Sequence, residues 1–337
     1  MRLTALIPAA ALAASIAAAG CSAGSTATPT PPPDATSVMT AASKASYPTN
    51  LEITLGGSYT DSGTTTSLPD GVLTIDVDTA AGAGSVHLAI PASLLGASGA
   101  AALAQLGITG DSLTFDALYD GKALYAKSPA MPAIVSQLAA LAQGVTLPQL
   151  GPDTWAKVID EATIKQLAGS AQSAVESAAP SASPSVADIK TVLDQIGGSI
   201  SLGTQATGAG GPAHDVKLTI DPARLKAYMT AHPEQFATAQ MSTLTALGDL
   251  TSISADVLVD VATSRVEQIS ASIAGTQNGS AVRGTIKVGI AEAPAGVSFA
   301  APSGAVDLPL AQILAPLVQS MMGSGGGGLL PLPSSAP

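Results

Sequence analysis

The chain has 337 residues, of which 3% are aromatic, and its 13 Lys+Arg against 24 Asp+Glu give a formal net charge of −11. Nucleic-acid binding is excluded, because it needs a basic footprint to release counterions and aromatic rings on which bases stack. A hydrophobic fraction of 46% also excludes a fully disordered chain, since that much apolar surface can offset the conformational entropy lost on folding.

Met1 and Arg2 precede an apolar stretch from Leu3 to Ala19 that ends on Gly20 and Cys21. Charge, apolar block and small-residue exit identify residues 1–20 as a signal peptide. Pro8 interrupts the block, which is shorter than the run of about twenty residues that spans a bilayer, so a cleaved leader fits better than a permanent anchor. Cys21 is the one cysteine of the chain, which rules out an intramolecular disulfide. Its place after Ala18-Ala19-Gly20 resembles the lipobox of bacterial lipoproteins, with Ala18 where leucine is usual. That resemblance implies a diacylglyceryl group on Cys21, a membrane anchor and an extracytoplasmic location on the cell membrane. Two acyl chains hold a protein durably, at about 0.8 kcal/mol per buried CH₂.

Residues 21–46 read as the lipidated cysteine followed by a flexible tether, because Ser22 to Val38 are small, polar and proline-rich. Residues 323–337, with four consecutive glycines and a proline-rich close, read as a disordered tail. The body between them, residues 47–322, is long enough for one large domain or two packed halves.

Within the body the dominant signal is alternation. Leu73, Ile75 and Val77, then Val86, Leu88 and Ile90, then Leu113, Phe115, Ala117 and Tyr119 mark strands with one buried face. Val216, Leu218 and Ile220 follow, and the stretch from Ile253 to Ile290 reads as a three-stranded meander. Further strands are expected over Ser199–Gln205 and Val297–Ala300. Pro69-Asp70-Gly71, Asp120-Gly121-Lys122 and Asn278-Gly279-Ser280 carry residues suited to tight hairpins, so the sheet is expected to be antiparallel. Helices are expected over Ala92–Leu106, Ala130–Gln143, Glu161–Ala178, Val186–Ile196, Pro222–Ala231, Glu234–Leu247 and Leu308–Met322, most of them near a proline. The runs Ser85–Leu95 and Asp215–Leu225 echo each other as strand, proline, helix start, through duplication or through generic alternation.

The fold class is therefore α+β. The hairpin Leu118-Tyr119-Asp120-Gly121-Lys122-Ala123-Leu124-Tyr125, the segment Trp155-Ala156-Lys157 and the closing meander through Phe299-Ala300-Ala301-Pro302 together resemble the LppX/LprG group of actinobacterial lipoproteins, related in fold to the LolA and LolB carriers. The resemblance covers most of residues 47–302. It implies a curved antiparallel sheet, a half-barrel, with helices across its concave face and a hydrophobic cavity. It also implies a lipid or lipoglycan ligand, with an envelope transporter or acceptor protein as a further partner. The inward-facing candidates for the cavity wall are Ile75, Val77, Val86, Leu88, Phe115, Leu218, Val257, Val259, Ile286 and Val288. With only 3 Phe and 1 Trp in the chain, such a wall is aliphatic, which leaves both a cavity and a solid core open.

Catalytic signatures are absent from the sequence: there is no Gly-x-Ser-x-Gly elbow, phosphate loop or His-Glu-x-x-His. His87, His214 and His232 have no companions at metal-ligand spacing, and Asp76-Val77-Asp78 is followed by Ala80 where a calcium loop needs a third oxygen. No cofactor and no metal is expected, and no enzyme activity. Trp155 reads as a core anchor in preference to a stacking residue. The function expected is that of a membrane-anchored lipoprotein binding or carrying a lipid. The alternatives are a solid-core surface lipoprotein with a protein partner and the solute-binding component of an importer.

Overall fold

The computed structural model describes residues 33–95, 111–141, 147–161, 186–232, 249–277 and 279–308, with a few positions between 99 and 108 and at 163. The fold is α+β. In chain order the described strands are β1 (Asn50–Asp61), β2 (Thr64–Asp78), β3 (Ala83–Pro91), β4 (Ser112–Tyr119), β5 (Leu124–Lys127), β6 (Ala156–Ile159), β7 (Ser199–Leu202), β8 (Ala206–Thr207), β9 (Pro212–Ile220), β10 (Asp249–Asp260), β11 (Val266–Gln277), β12 (Ser280–Glu292) and β13 (Val306–Asp307). The described α-helices are α1 (Ala35–Ala42), α2 (Met131–Leu141), α3 (Val186–Gln195) and α4 (Pro222–Ala231). The chain divides into two compact units, residues 1–90 with 178–298 and residues 91–177 with 299–337.

In the first unit the strands lie in the order β3-β2-β1-β12-β11-β10-β9-β7, with β8 also on β9, and every pairing is antiparallel. The meander expected over Ile253–Ile290 is β10, β11 and β12, and the three strands expected over Leu51–Ile90 are β1, β2 and β3. The turn residues are placed differently. The β1–β2 hairpin closes at Ser62 and Gly63, which take φ of 50° and 83°, the pair of positive values that a tight hairpin needs. Pro69-Asp70-Gly71 instead lies inside β2. There the register jumps from Leu55↔Leu73 to Gly57↔Leu68, so that residues 69–72 bulge opposite Gly56. A Cβ on Gly56 would run into Asp70, and one on Gly57, at φ 152°, into the carbonyl oxygen of Thr285. The bulge requires a glycine at position 56, and the close approach of β12 at Thr285 requires one at position 57.

The tether expected over residues 21–46 gives way to structure at Asp34. Its side chain accepts the amide of Ser37 at 2.7 Å while the Ser37 hydroxyl accepts the amide of Asp34 at 3.0 Å, a reciprocal cap that starts α1. Ala35, Val38, Met39 and Ala42 of α1 are buried in one cluster with Leu193 and Ile196 at the end of α3 and with Val216, Leu218, Val257, Val259, Val266 and Ile269 of the sheet. An eight-residue helix is marginal alone, so this packing, not propensity, holds it.

The second unit pairs β4, β5 and β6 antiparallel, with β13 parallel on β6. The hairpin expected over Leu113–Lys127 is β4–β5, and the helix expected over Ala130–Gln143 is α2. Ala156, wholly buried, packs with Met131, Val135, Leu150 and Leu308. The strand expected over Val297–Ala300 does not form; the chain pairs later, at β13. The 3₁₀ turn Ala92–Leu95 opens the helix expected over Ala92–Leu106, most of which lies outside the described residues. So do Cys21, nearly all of Glu161–Ala178, Glu234–Leu247, Leu308–Met322 beyond Leu308, and the tail.

Candidate functional site

The registers of the first unit place one aliphatic side chain from each of eight strands in a single row. Leu202 of β7 is opposite Val216, Val216 opposite Val257, Val257 opposite Ile269 and Ile269 opposite Val288. The row continues from Val288 to Leu55, Leu73 and finally Leu88 of β3. Directly paired residues share a face, so this row defines one apolar side of the sheet, about 34 Å across at ~4.8 Å per strand. Parallel to it run Ile290, Ile53, Ile75 and Val86, and on the other flank Ile200, Leu218, Ala255, Ala271 and Ile286.

The opposite side is as uniformly polar. Ser199, Thr219, Ser254, Ser272, Thr285, Ser58 and Ser67 form a row of hydroxyls across seven strands. Ser199 and Thr219 lie 2.7 Å apart through their oxygens, and Ser272 and Thr285 3.0 Å apart. In the next row Lys217 lies between Asp256 at 3.0 Å and Asp215 at 3.1 Å, and the hydrogen bonds to these two carboxylates hold its ammonium above the ordinary lysine range.

Cover on the apolar side is uneven. Val216 and Val259 are 0% and 1% exposed, and Leu218, Val257 and Ile269 are buried with them beneath α1 and the end of α3. Val288 and Ile290 pack against the margin of that cluster. Beyond them Leu55, Leu73 and Leu88, and likewise Ile53, Ile75, Val86 and Val77, are only half-buried among the described residues. Tyr59, paired with Gly284, ends this side of β1; burial first, and then the carboxylate of Asp61, pushes its phenol above the usual range.

The ten sequence-derived wall residues therefore separate into three groups. Ile75, Val77, Val86, Leu88, Ile286 and Val288 share the apolar side where cover thins. Leu218, Val257 and Val259 share that side and are buried in the cluster with α1 and the end of α3. Phe115 belongs to β4 of the second unit and is 36% exposed; the buried position of that strand is Leu118, packed with Ala123, Tyr125 and Trp155. Sequence reading missed Leu55 and Leu73 as wall positions; they are the partners that join Val288 to Leu88.

In the second unit the Asp120-Gly121 turn is built as expected. Asp120 Oδ1 accepts the amides of Lys122 at 2.9 Å and Ala123 at 2.7 Å, and Oδ2 accepts the Tyr125 hydroxyl at 3.3 Å. Burial works to raise the Asp120 carboxyl, but these donors outweigh it and hold it below the ordinary carboxylate range. Burial, and then the Asp120 charge, push the Tyr125 phenol up. Trp155 serves as an anchor for this turn, with the Lys127 ammonium 5.3 Å from its ring centroid. His87 is exposed on the polar side of β3, His214 lies within β9, and the His232 ring, at the end of α4, is 4.6 Å from that of Tyr228. Among the described residues no three His, Cys, Asp or Glu side chains gather as a metal site, and no helix is long and apolar enough to cross a membrane.

The site and fold together define an α+β protein in which the strands of the first unit, β3 through β7, present one apolar and one polar side. No family model and no curated protein matches the chain. Among solved structures, the ywiB protein from Bacillus subtilis aligns over 72% of this chain and 91% of its own, at 7% identity and a TM-score of 0.14, a likeness too slight to carry an argument.

Proposed function

We propose that the chain is a membrane-anchored lipoprotein that holds the acyl chains of a lipid, or of another acylated hydrophobic molecule, against the apolar side of its first unit. The observation that carries the reading is the eight-strand aliphatic row, covered by α1 and α3 at its β9–β11 end and only half-buried from Leu55 to Leu88. Aliphatic side chains without polar groups favour hydrocarbon, and each CH₂ removed from water contributes about 0.8 kcal/mol. Cys21, as the acylated residue, would keep the protein on the extracytoplasmic face of the cell membrane, and a half-barrel of the LppX/LprG kind would enclose the ligand.

The second reading, a solid-core surface lipoprotein with a protein partner, is favoured by the closure of Val216 and Val259 beneath α1. Native mass spectrometry separates the two. The carrier reading expects the full chain to retain a lipid that the Ile75→Asp and Val86→Asp variants lose while still folded; a protein isolated bare from membrane extracts would favour the solid core.

A further inference from the structure

The half-buried part of the apolar side is built from β12, β1, β2 and β3, whose Lys and Arg residues are Arg283 and Lys287, both on β12. Register puts both on the polar side. Arg283 is opposite Thr60 and Ala274, and Lys287 is opposite Gly56 and Ser270 and reaches Asp70 at 3.1 Å. Lys217 of β9 also lies on the polar side, between Asp215 and Asp256. The other described cations of the unit sit on α3, on α4 and in the connections that follow α1 and precede β11.

The apolar side carries carboxylates instead, one at each end of this stretch. Glu292 is opposite Leu51, where β1 begins, and Asp61 closes β1 two residues beyond Tyr59. Both are exposed. Measured along β1 they stand about 34 Å apart at ~3.4 Å per residue, with Leu51, Ile53 and Leu55 on the same side between them. At the Asp61 end that side also presents Thr64 and Thr66, opposite Asp61 and Tyr59, so the polar groups there are neutral hydroxyls beside one carboxylate.

We infer that Asp61 and Glu292 select the headgroup of the bound lipid: acyl lipids with a zwitterionic or uncharged headgroup are held, and lipids of net negative charge are turned away. The inference rests on the proposal that hydrocarbon lies along this wall, and adds a headgroup specificity to it. Acyl chains laid against the wall leave their headgroup at its margin, because burying that group without partners costs free energy. A headgroup leaving along the strands meets a carboxylate at either end. No Lys or Arg on the same side of β12, β1, β2 or β3 is there to pair with an anionic phosphate. Like charges brought together at a binding margin discriminate against the wrong ligand, and salt screens that repulsion.

The test offers the full chain, in non-ionic detergent at low ionic strength, an equimolar mixture of dioleoyl phosphatidylcholine and dioleoyl phosphatidylglycerol. The two lipids share their acyl chains and differ in headgroup charge, and native mass spectrometry resolves the two complexes. Retention of phosphatidylcholine over phosphatidylglycerol by at least about fivefold is expected. The double variant Asp61→Asn with Glu292→Gln should bring the ratio close to one, and Asp61→Lys with Glu292→Lys should invert it; circular dichroism checks that both remain folded. Retention of both lipids at an equal ratio by the parent, or a parental preference unchanged in a folded double variant, overturns the selection and leaves the carrier reading standing. Retention of neither lipid contradicts the carrier reading itself and overturns the selection with it.

Discussion

The Lys287 ammonium reaches the Asp70 carboxylate at 3.1 Å, which ties β12 to the bulge of β2 directly over Gly56 of the strand between them. The pair is a consequence of the bulge and not its cause. Both side chains are largely exposed, so Lys287→Ala is expected to cost no more than about 1 kcal/mol. Gly56→Val and Gly57→Val force a Cβ into Asp70 and into the Thr285 carbonyl, and each is expected to cost about 2–4 kcal/mol in urea unfolding. A loss at Lys287 as large as at the glycines would show that the ion pair holds the bulge.

α1 is expected to behave as core and not as tether. Val38→Asp and Met39→Asp each place an unpaired charge in the cluster around Val216 and Val259, and each should destabilise the protein by about 3 kcal/mol or more. The measurement is the urea midpoint at unchanged slope. Stability equal to that of the parent would return these residues to the linker.

How far the sequence foretold the fold depends on the kind of signal each residue carries. Alternation is a property of single strands, and it located β1 to β4 and β9 to β12 because their two sides differ so sharply. The row through Leu55 and Leu73 depends on register, which pairing decides and no single strand contains. Pro69-Asp70-Gly71 carried turn chemistry and was spent on a bulge, while the hairpin closed at Ser62-Gly63, where sequence bias is weaker. α1 was obscured by its Ala, Ser and Thr content beside a proline run, although Asp34 and Ser37 stand at capping-box spacing. β6 and β13 are too short to alternate visibly.

Asp120 links the second unit's stability to pH. Its folded carboxyl titrates below the ordinary value of about 3.9, so its contribution is fully present above that value and is lost as the pH falls through the folded one. Asp120→Ala removes three accepted hydrogen bonds and is expected to cost about 1–2 kcal/mol at neutral pH. The gap between parent and variant should shrink toward zero in acid. A gap that stayed constant from pH 6 down to about 2 would mean that the carboxylate's charge takes no part.

The central claim is that hydrocarbon lies along the half-buried part of the aliphatic row. Photocrosslinking with a diazirine-bearing phospholipid, followed by peptide mapping of the intact chain, tests it at the residues themselves. Adducts are expected on the peptides holding Leu51–Leu55, Leu73–Val77 and Val86–Ile90, and not on those of the hydroxyl side such as Ser254 and Ser272, which share β10 and β11 with residues already covered by α1. Adducts spread evenly over both sides, or none above the level of an unrelated soluble protein, would contradict it.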